Sequence, residues 1–329
     1  MLMLSRHDDG NNENRQAHSF TSPATAVMSR FSESIRSHLL ETFSGDTQGT
    51  PYWVKNIEAG DDMGFFGLGS ASWAVHGGMP TMVAGIRALL MQTLHPGAMA
   101  GVHDWSRYKE DPLGRLAGTI QWLITVTFGD TALARHESSR VSKFHERVQG
   151  TYLDAQGQER HYSAGDPELL YWVHVVFTDA FLGSHQAWGG KIPGGADQYV
   201  KEWSQAGILI GVENPPTSEA ELIAALHKFN ADGILKYDER VAETVEFLKR
   251  PPLRRSMIPF YRVMFAGAVA TIPQEYLQIL GLRKPRWPAK FITGLILSLL
   301  RIILGPSSTS EDAAMARYAR LVADGKLPS

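Results

Sequence analysis

Residues 111–150 read DPLGRLAGTIQWLITVTFGDTALARHESSRVSKFHERVQG, and two helices can be read out of them directly. Asp111-Pro112 places a capping carboxylate before a proline at the first helical position, where its missing N–H costs nothing. The helix it opens carries Leu116, Ile120 and Leu123 on one face and stops at Gly129. Asp130 then caps a second helix, which is expected to run to about Val148 and end before Gly150.

The same grammar repeats outward from this pair. Asp166-Pro167-Glu168 starts an intensely apolar helix, ELLYWVHVVFTDAFL, expected to reach His185. Ser218 and Glu221 have capping-box spacing for a helix to Asn230, and Asp238 to Phe247 suits another. Toward the N-terminus, Gly64 to Ser70 predicts a tight loop, and Gly78 to Val102 a helix interrupted at His95-Pro96. Thr21 to Ser44 suits one or two short helices. Thr151 to Tyr162 predicts a loop or short hairpin, and Pro251-Pro252 breaks the chain before further apolar helices and an amphipathic tail near Glu311 to Val322. Strand-like alternation is scarce. The fold class expected is all-α, with residues 1–25 a mobile segment and 26–329 a single large helical domain.

The 329 residues are 43% hydrophobic and 20% charged, enough apolar material for a large core and an enclosed cavity. With a net charge of -2 and basic residues read as scattered among acids, nucleic acid is not expected as a partner. The absence of cysteine excludes disulfides, thiolate ligation and iron–sulfur clusters, and suits a cytoplasmic location. Phe291 to Leu304, FITGLILSLLRIIL, is shorter than the roughly 20 residues of a spanning helix. It is expected either to be buried in the core or to make a peripheral membrane contact.

Histidines carry the chemical interest. His145 falls with Val141, Phe144 and Val148 on an i, i+3, i+4, i+7 stripe, where a neutral imidazole can hydrogen-bond within a core or ligate iron. His174 sits in a helix apolar in nearly every direction, and both readings stay open there too. Asp179 on that helix needs a partner if buried. Arg115 and Thr119 lie one turn apart on one face, which suits either an anion site or an arginine laid over apolar neighbours. His76, His95 and His103 are further candidates. HExxH, Glu-x-x-His repeats, GxGxxG and GxxxxGK[ST] are all missing, which argues against zinc-protease, di-iron, dinucleotide and P-loop chemistry.

The blocks LLMQTLHPGAMAGVHDWSRYKEDPLGRLAGT, FGD at 128–130, FHERVQG at 144–150 and YSAGDPELLYWVH at 162–174, in that order, resemble the family of the rubber oxygenase latex-clearing protein and the oxygenase of mycophenolic acid biosynthesis. The similarity extends over about residues 60–280. It implies a globin-like helical core enclosing a haem b pocket, with His145 as the proximal iron ligand. Arg115 would stand near a propionate, Thr119 would hydrogen-bond in the pocket, and His174 would lie on a helix lining it. The implied activity is oxidation of an unsaturated hydrophobic small molecule, isoprenoid or lipid-like, by dioxygen or peroxide. A non-catalytic haem carrier or sensor, or a haem-free structural protein, is the alternative. Two departures matter: Gly118 stands where the rubber oxygenase has a lysine able to occupy the distal side of iron, and no counterpart of its proposed basic glutamate occurs near Met99.

Overall fold

The structure is a computed structural model describing residues 52–105 and 112–328, with side chains from residue 118 onward in the second stretch. The segment 1–25, the helices expected within Thr21–Ser44 and the cap at Asp111 lie outside the described residues. Among the described residues, fourteen helices and one hairpin follow in order. They are α1 (Tyr52–Ala59), α2 (Ala71–Gly77), α3 (Thr81–Gln92), α4 (Pro96–Trp105), α5 (Pro112–Phe128), α6 (Thr131–His145), β1 (Gln149–Leu153), β2 (Glu159–Ser163), α7 (Pro167–Trp188), α8 (Gly195–Leu209), α9 (Glu219–Ala231), α10 (Glu239–Lys249), α11 (Ile258–Thr271), α12 (Gln274–Ile279), α13 (Ala289–Leu304) and α14 (Thr309–Ala323). The fold is all-α, with a two-stranded antiparallel hairpin in register Gln149 to Ser163 and Leu153 to Glu159.

Most capping signals act as read. Asp130 accepts from the Leu133 N–H at 2.8 Å, Ser218 from Glu221 and Asp238 from Val241. Two caps are rearranged. Glu221 reaches back chiefly to the N–H and hydroxyl of Thr217, one residue before the Ser218 N–H that a capping box would use. Asp166 accepts from the Ser163 N–H at 2.7 Å, so its carboxylate ties the hairpin to α7 and leaves the start of that helix to Pro167.

The core is one continuous apolar cluster running from Trp53 to Ala314. Its central crossing is α3 against α7, where Arg87 donates to Asp179 at 2.6 Å with both side chains mostly buried. This supplies the partner Asp179 requires; burial still pushes its carboxyl upward against the pull of the guanidinium. Gly183 makes the pair possible, since a Cβ there would stand 1.8 Å from an Arg87 nitrogen. Removing either member would strand a buried charge, at a cost of about 3–5 kcal/mol.

The FGD block forms a structural corner. Phe128 meets Trp73 edge to face at 5.1 Å, and Asp130 accepts from the N–H of Asp61 as well as capping α6. The Gly129 carbonyl lies so near Gly64 that a Cβ there would come within 2.2 Å, and Gly64 has a φ of 81°, a backbone region that favours glycine. From α14, the fully buried Arg317 donates to the Ile57 carbonyl at 2.7 Å and locks that helix onto α1.

Candidate functional site

The helix expected to run from Gly78 to Val102 breaks at His95-Pro96 for a specific reason. His95 is fully buried, and its Nδ1 accepts from the backbone N–H groups of Gly97 and Ala98, at 3.1 and 3.4 Å. The imidazole therefore acts as the N-cap of α4. Because Nδ1 accepts, the ring proton sits on Nε2, which donates to Glu168 Oε1 at 2.9 Å. Glu168 belongs to the first turn of α7, and this bond holds its carboxyl below the usual range. The beginnings of α4 and α7 are thus tied together by one histidine.

Those two helices form walls of a recess of about 160 Å³. Gly97, Ala98, Gly101 and Val102 come from α4, Leu169, Leu170 and Val173 from α7, and Val148, Tyr162 and Ala164 from the hairpin region. His145 and Phe144 enter from the end of α6. The hairpin is fixed to α4 by Trp105, which donates to the Gln149 carbonyl at 2.8 Å, and by Tyr162, which donates to Asp104 at 3.3 Å.

α6 ends at His145, three residues before the expected Val148, because the chain must turn there to enter β1. The stripe expected to be uniformly buried is split as a result. Val148 is buried, His145 is half-buried, and Phe144 is 54% exposed on the rim of the recess. His136, on the opposite face of α6, is exposed. The Nδ1 of His145 is buried without a hydrogen-bond partner, and burial lowers the pKa of the ring, favouring its neutral form.

The other expected site residues are placed less directly. Thr119 is half-buried on α5, which is tied to α6 by Gln121 donating to Glu137 and Trp122 donating to Ser138, both at 3.1 Å. Arg115 lies one turn earlier on α5, its side chain outside the described residues. A Cβ at Gly118 would meet nothing within 4 Å, so packing does not require glycine there.

His174 follows Val173 on α7 but is not among the lining residues. It turns toward α8, packing so closely on Gly207 that a Cβ there would lie 2.9 Å from its ring. Its Nε2 is a buried orphan, and burial lowers its pKa to about 4. His76 lies farther away, with its ring centroid 4.1 Å from that of Trp203 and Nε2 3.1 Å from the Tyr199 hydroxyl; its pKa falls to about 3 through burial and the nearby His185.

The glycine-rich wall of α4 was missed in reading the sequence. Its signal was present in HPGAMAGV: glycines at 97 and 101, four apart inside a helix, each cost about 0.5–1 kcal/mol relative to alanine and need a reason in close packing. Here they admit Tyr152, Leu169 and Tyr162 against the helix.

Among the described residues no three His, Asp or Glu side chains converge to hold a metal ion. A haem needs only an axial donor from the protein, since the porphyrin supplies four. The apolar lining and the half-buried His145 suit such a donor, while the recess of about 160 Å³ is smaller than an ordinary small-molecule pocket and has room for only part of a porphyrin.

The chain is thus an all-helical protein with one imidazole on the wall of an apolar recess. The comparison with family profiles is more specific: the chain belongs to the family described as ER-bound oxygenase mpaB/B′/rubber oxygenase, catalytic domain, which matches residues 73–302. Membership implies an oxygenase. No curated protein and no solved structure matches the chain.

Proposed function

We propose that the protein is a haem b-dependent oxygenase that uses dioxygen or peroxide to oxidise an unsaturated, hydrophobic small molecule. The observation that carries this reading is His145, whose uncommitted ring nitrogen and position on an apolar recess fall inside the family-matched segment. When bound, haem supplies the oxygen-activating chemistry.

The chain's own residues supply the setting. His145, kept toward its neutral form by burial, would hold the haem iron. Arg115 offsets propionate charge, and Thr119, one turn on, completes a polar edge. Val148, Leu169, Leu170 and Val173 exclude water and receive the apolar substrate. His174 acts from behind that wall as a positioning residue, seating α7 against Gly207 of α8. The His95–Glu168 bond keeps the two walls in register. Gly118 leaves space that a long side chain would fill.

The test is the visible spectrum of protein made with adequate haem, beside a His145→Ala variant, followed by turnover on unsaturated apolar compounds with oxygen and with peroxide. A Soret band that disappears in the variant, together with an oxidised product, supports the proposal. No Soret band in the parent protein, or an unchanged band and ligand signature in the variant, sinks it. Haem retention without turnover under either oxidant would make the protein a carrier.

A further inference from the structure

α13 buries only a narrow face: Ala289, Leu297 and Thr293, whose hydroxyl donates to the Val263 carbonyl at 3.2 Å, with Gly294 packed against Trp188. Four of its large apolar side chains point outward, with Phe291 66%, Leu295 55%, Leu299 55% and Ile302 80% exposed. These recur at i, i+4, i+8 and i+11 and form one stripe. Water gives such a stripe no reason to stay uncovered.

The charge beside it is one-sided. Residues 250–304 contain nine Lys or Arg and one acid, Glu275, in a chain whose net charge is -2, so the even scatter of basic residues does not hold here. Arg283, Lys284, Arg286 and Lys290 are exposed at the N-terminal approach to α13, with the exposed Trp287 among them. No acid occurs from residue 276 to 310. An aromatic and basic approach to an apolar stripe matches the boundary of a bilayer, with phosphates above and acyl chains below.

The geometry favours lying on that boundary over crossing it. At 1.5 Å per residue, α13 is about 24 Å long, short of a hydrocarbon core of about 30 Å. Among the described residues no single helix is long and apolar enough to span, although α13 and α14 pass together as a pair bent by 50°. α14, however, is committed to the core through Arg317. A nucleic acid would use the basic approach but leave the four apolar side chains without a role. A second copy would supply no acid from this segment to meet the basic residues.

We propose that α13 docks the protein on an anionic lipid surface, with Phe291, Leu295, Leu299 and Ile302 entering the acyl boundary and Arg283, Lys284, Arg286 and Lys290 facing lipid phosphates. Flotation of the full chain with phosphatidylcholine vesicles, with and without phosphatidylglycerol, tests it. Strong recovery only with the anionic vesicles is expected. Replacing Arg283, Lys284 and Arg286 with Gln together reduces partitioning about a hundredfold, and Phe291→Ser with Ile302→Ser reduces it at least about tenfold. All five positions are exposed, and circular dichroism verifies that the variants remain folded.

Equal recovery with neutral and anionic vesicles, or none with either, overturns the proposal. So does undiminished binding by the folded apolar variant. Binding of a duplex oligonucleotide in place of vesicles would reassign the face to nucleic acid. Self-association lost with Phe291→Ser and Ile302→Ser, without vesicle binding, would reassign it to a second copy.

Discussion

His95 and His145 stand at helix ends, the first capping a helix that walls the recess and the second lining it, and their nitrogens are used differently. At the start of α4, His95 accepts two backbone N–H groups and donates to Glu168. At the end of α6, His145 keeps a buried nitrogen with no partner. An unpaired buried polar atom costs about 1–3 kcal/mol, so the molecule tolerates at His145 what it avoids at His95. Burial alone does not distinguish a structural histidine from a ligand; an idle nitrogen beside a cavity does so better. His76 and His174 refine the comparison, since each also has an idle nitrogen but lies outside the lining of that recess.

The sharpest attempt to break the comparison removes the two rings in turn. His145→Ala should lower haem affinity by more than about a hundredfold, read as loss of the Soret band, because it removes the axial donor and not a supporting hydrogen bond. His95→Ala should retain haem stoichiometry. Similar loss of haem in both variants would erase the distinction.

Acid tests the two histidines away from the lining. An unfolded histidine titrates near 6.5, whereas His76 and His174 in the folded chain titrate at about 3 and about 4. From pH 6.5 down to about 4 the unfolded chain therefore takes up two protons that the folded chain refuses. Midway through that window stability falls by up to about 3 kcal/mol per pH unit, and His174→Gln should halve the slope from these two groups. Denaturant titrations at several pH values measure it, and an unchanged slope would mean that His174 is already protonated when folded.

Next in size is the capping role of His95. His95→Ala should destabilise the fold by about 2 kcal/mol, through loss of a cap and the stranding of buried N–H groups. His95→Asn should recover part of this, because its amide oxygen can accept the same bonds. Equal stability of the Ala and Asn variants in chemical denaturation would argue against a cap.

The smallest effect is expected at Gly118. Its surroundings are open and its φ is not among the positive values, so Gly118→Ala should stabilise α5 by about 0.5–1 kcal/mol with haem retained. Thermal melts and the Soret band provide the readings. Destabilisation instead would mean that the backbone at this position is more constrained than the open space indicates.

Much of this molecule is local and therefore legible in its sequence. Asp130, Ser218 and Asp238 cap helices because a short polar side chain can reach an N–H three residues on, whatever lies elsewhere in the chain. Proline at 96, 112 and 167 opens helices for an equally local reason, and ordered sequence blocks sufficed to indicate the family. Periodicity groups residues on a face, but it does not specify what will cover that face. Tertiary structure alone decided that Phe144 lies on a rim, that His174 packs against Gly207, that Arg87 neutralises Asp179 from another helix, and that the apolar face of α13 remains exposed. Each depends on a partner distant in sequence, or on the lack of one, and no pattern within a single helix encodes it.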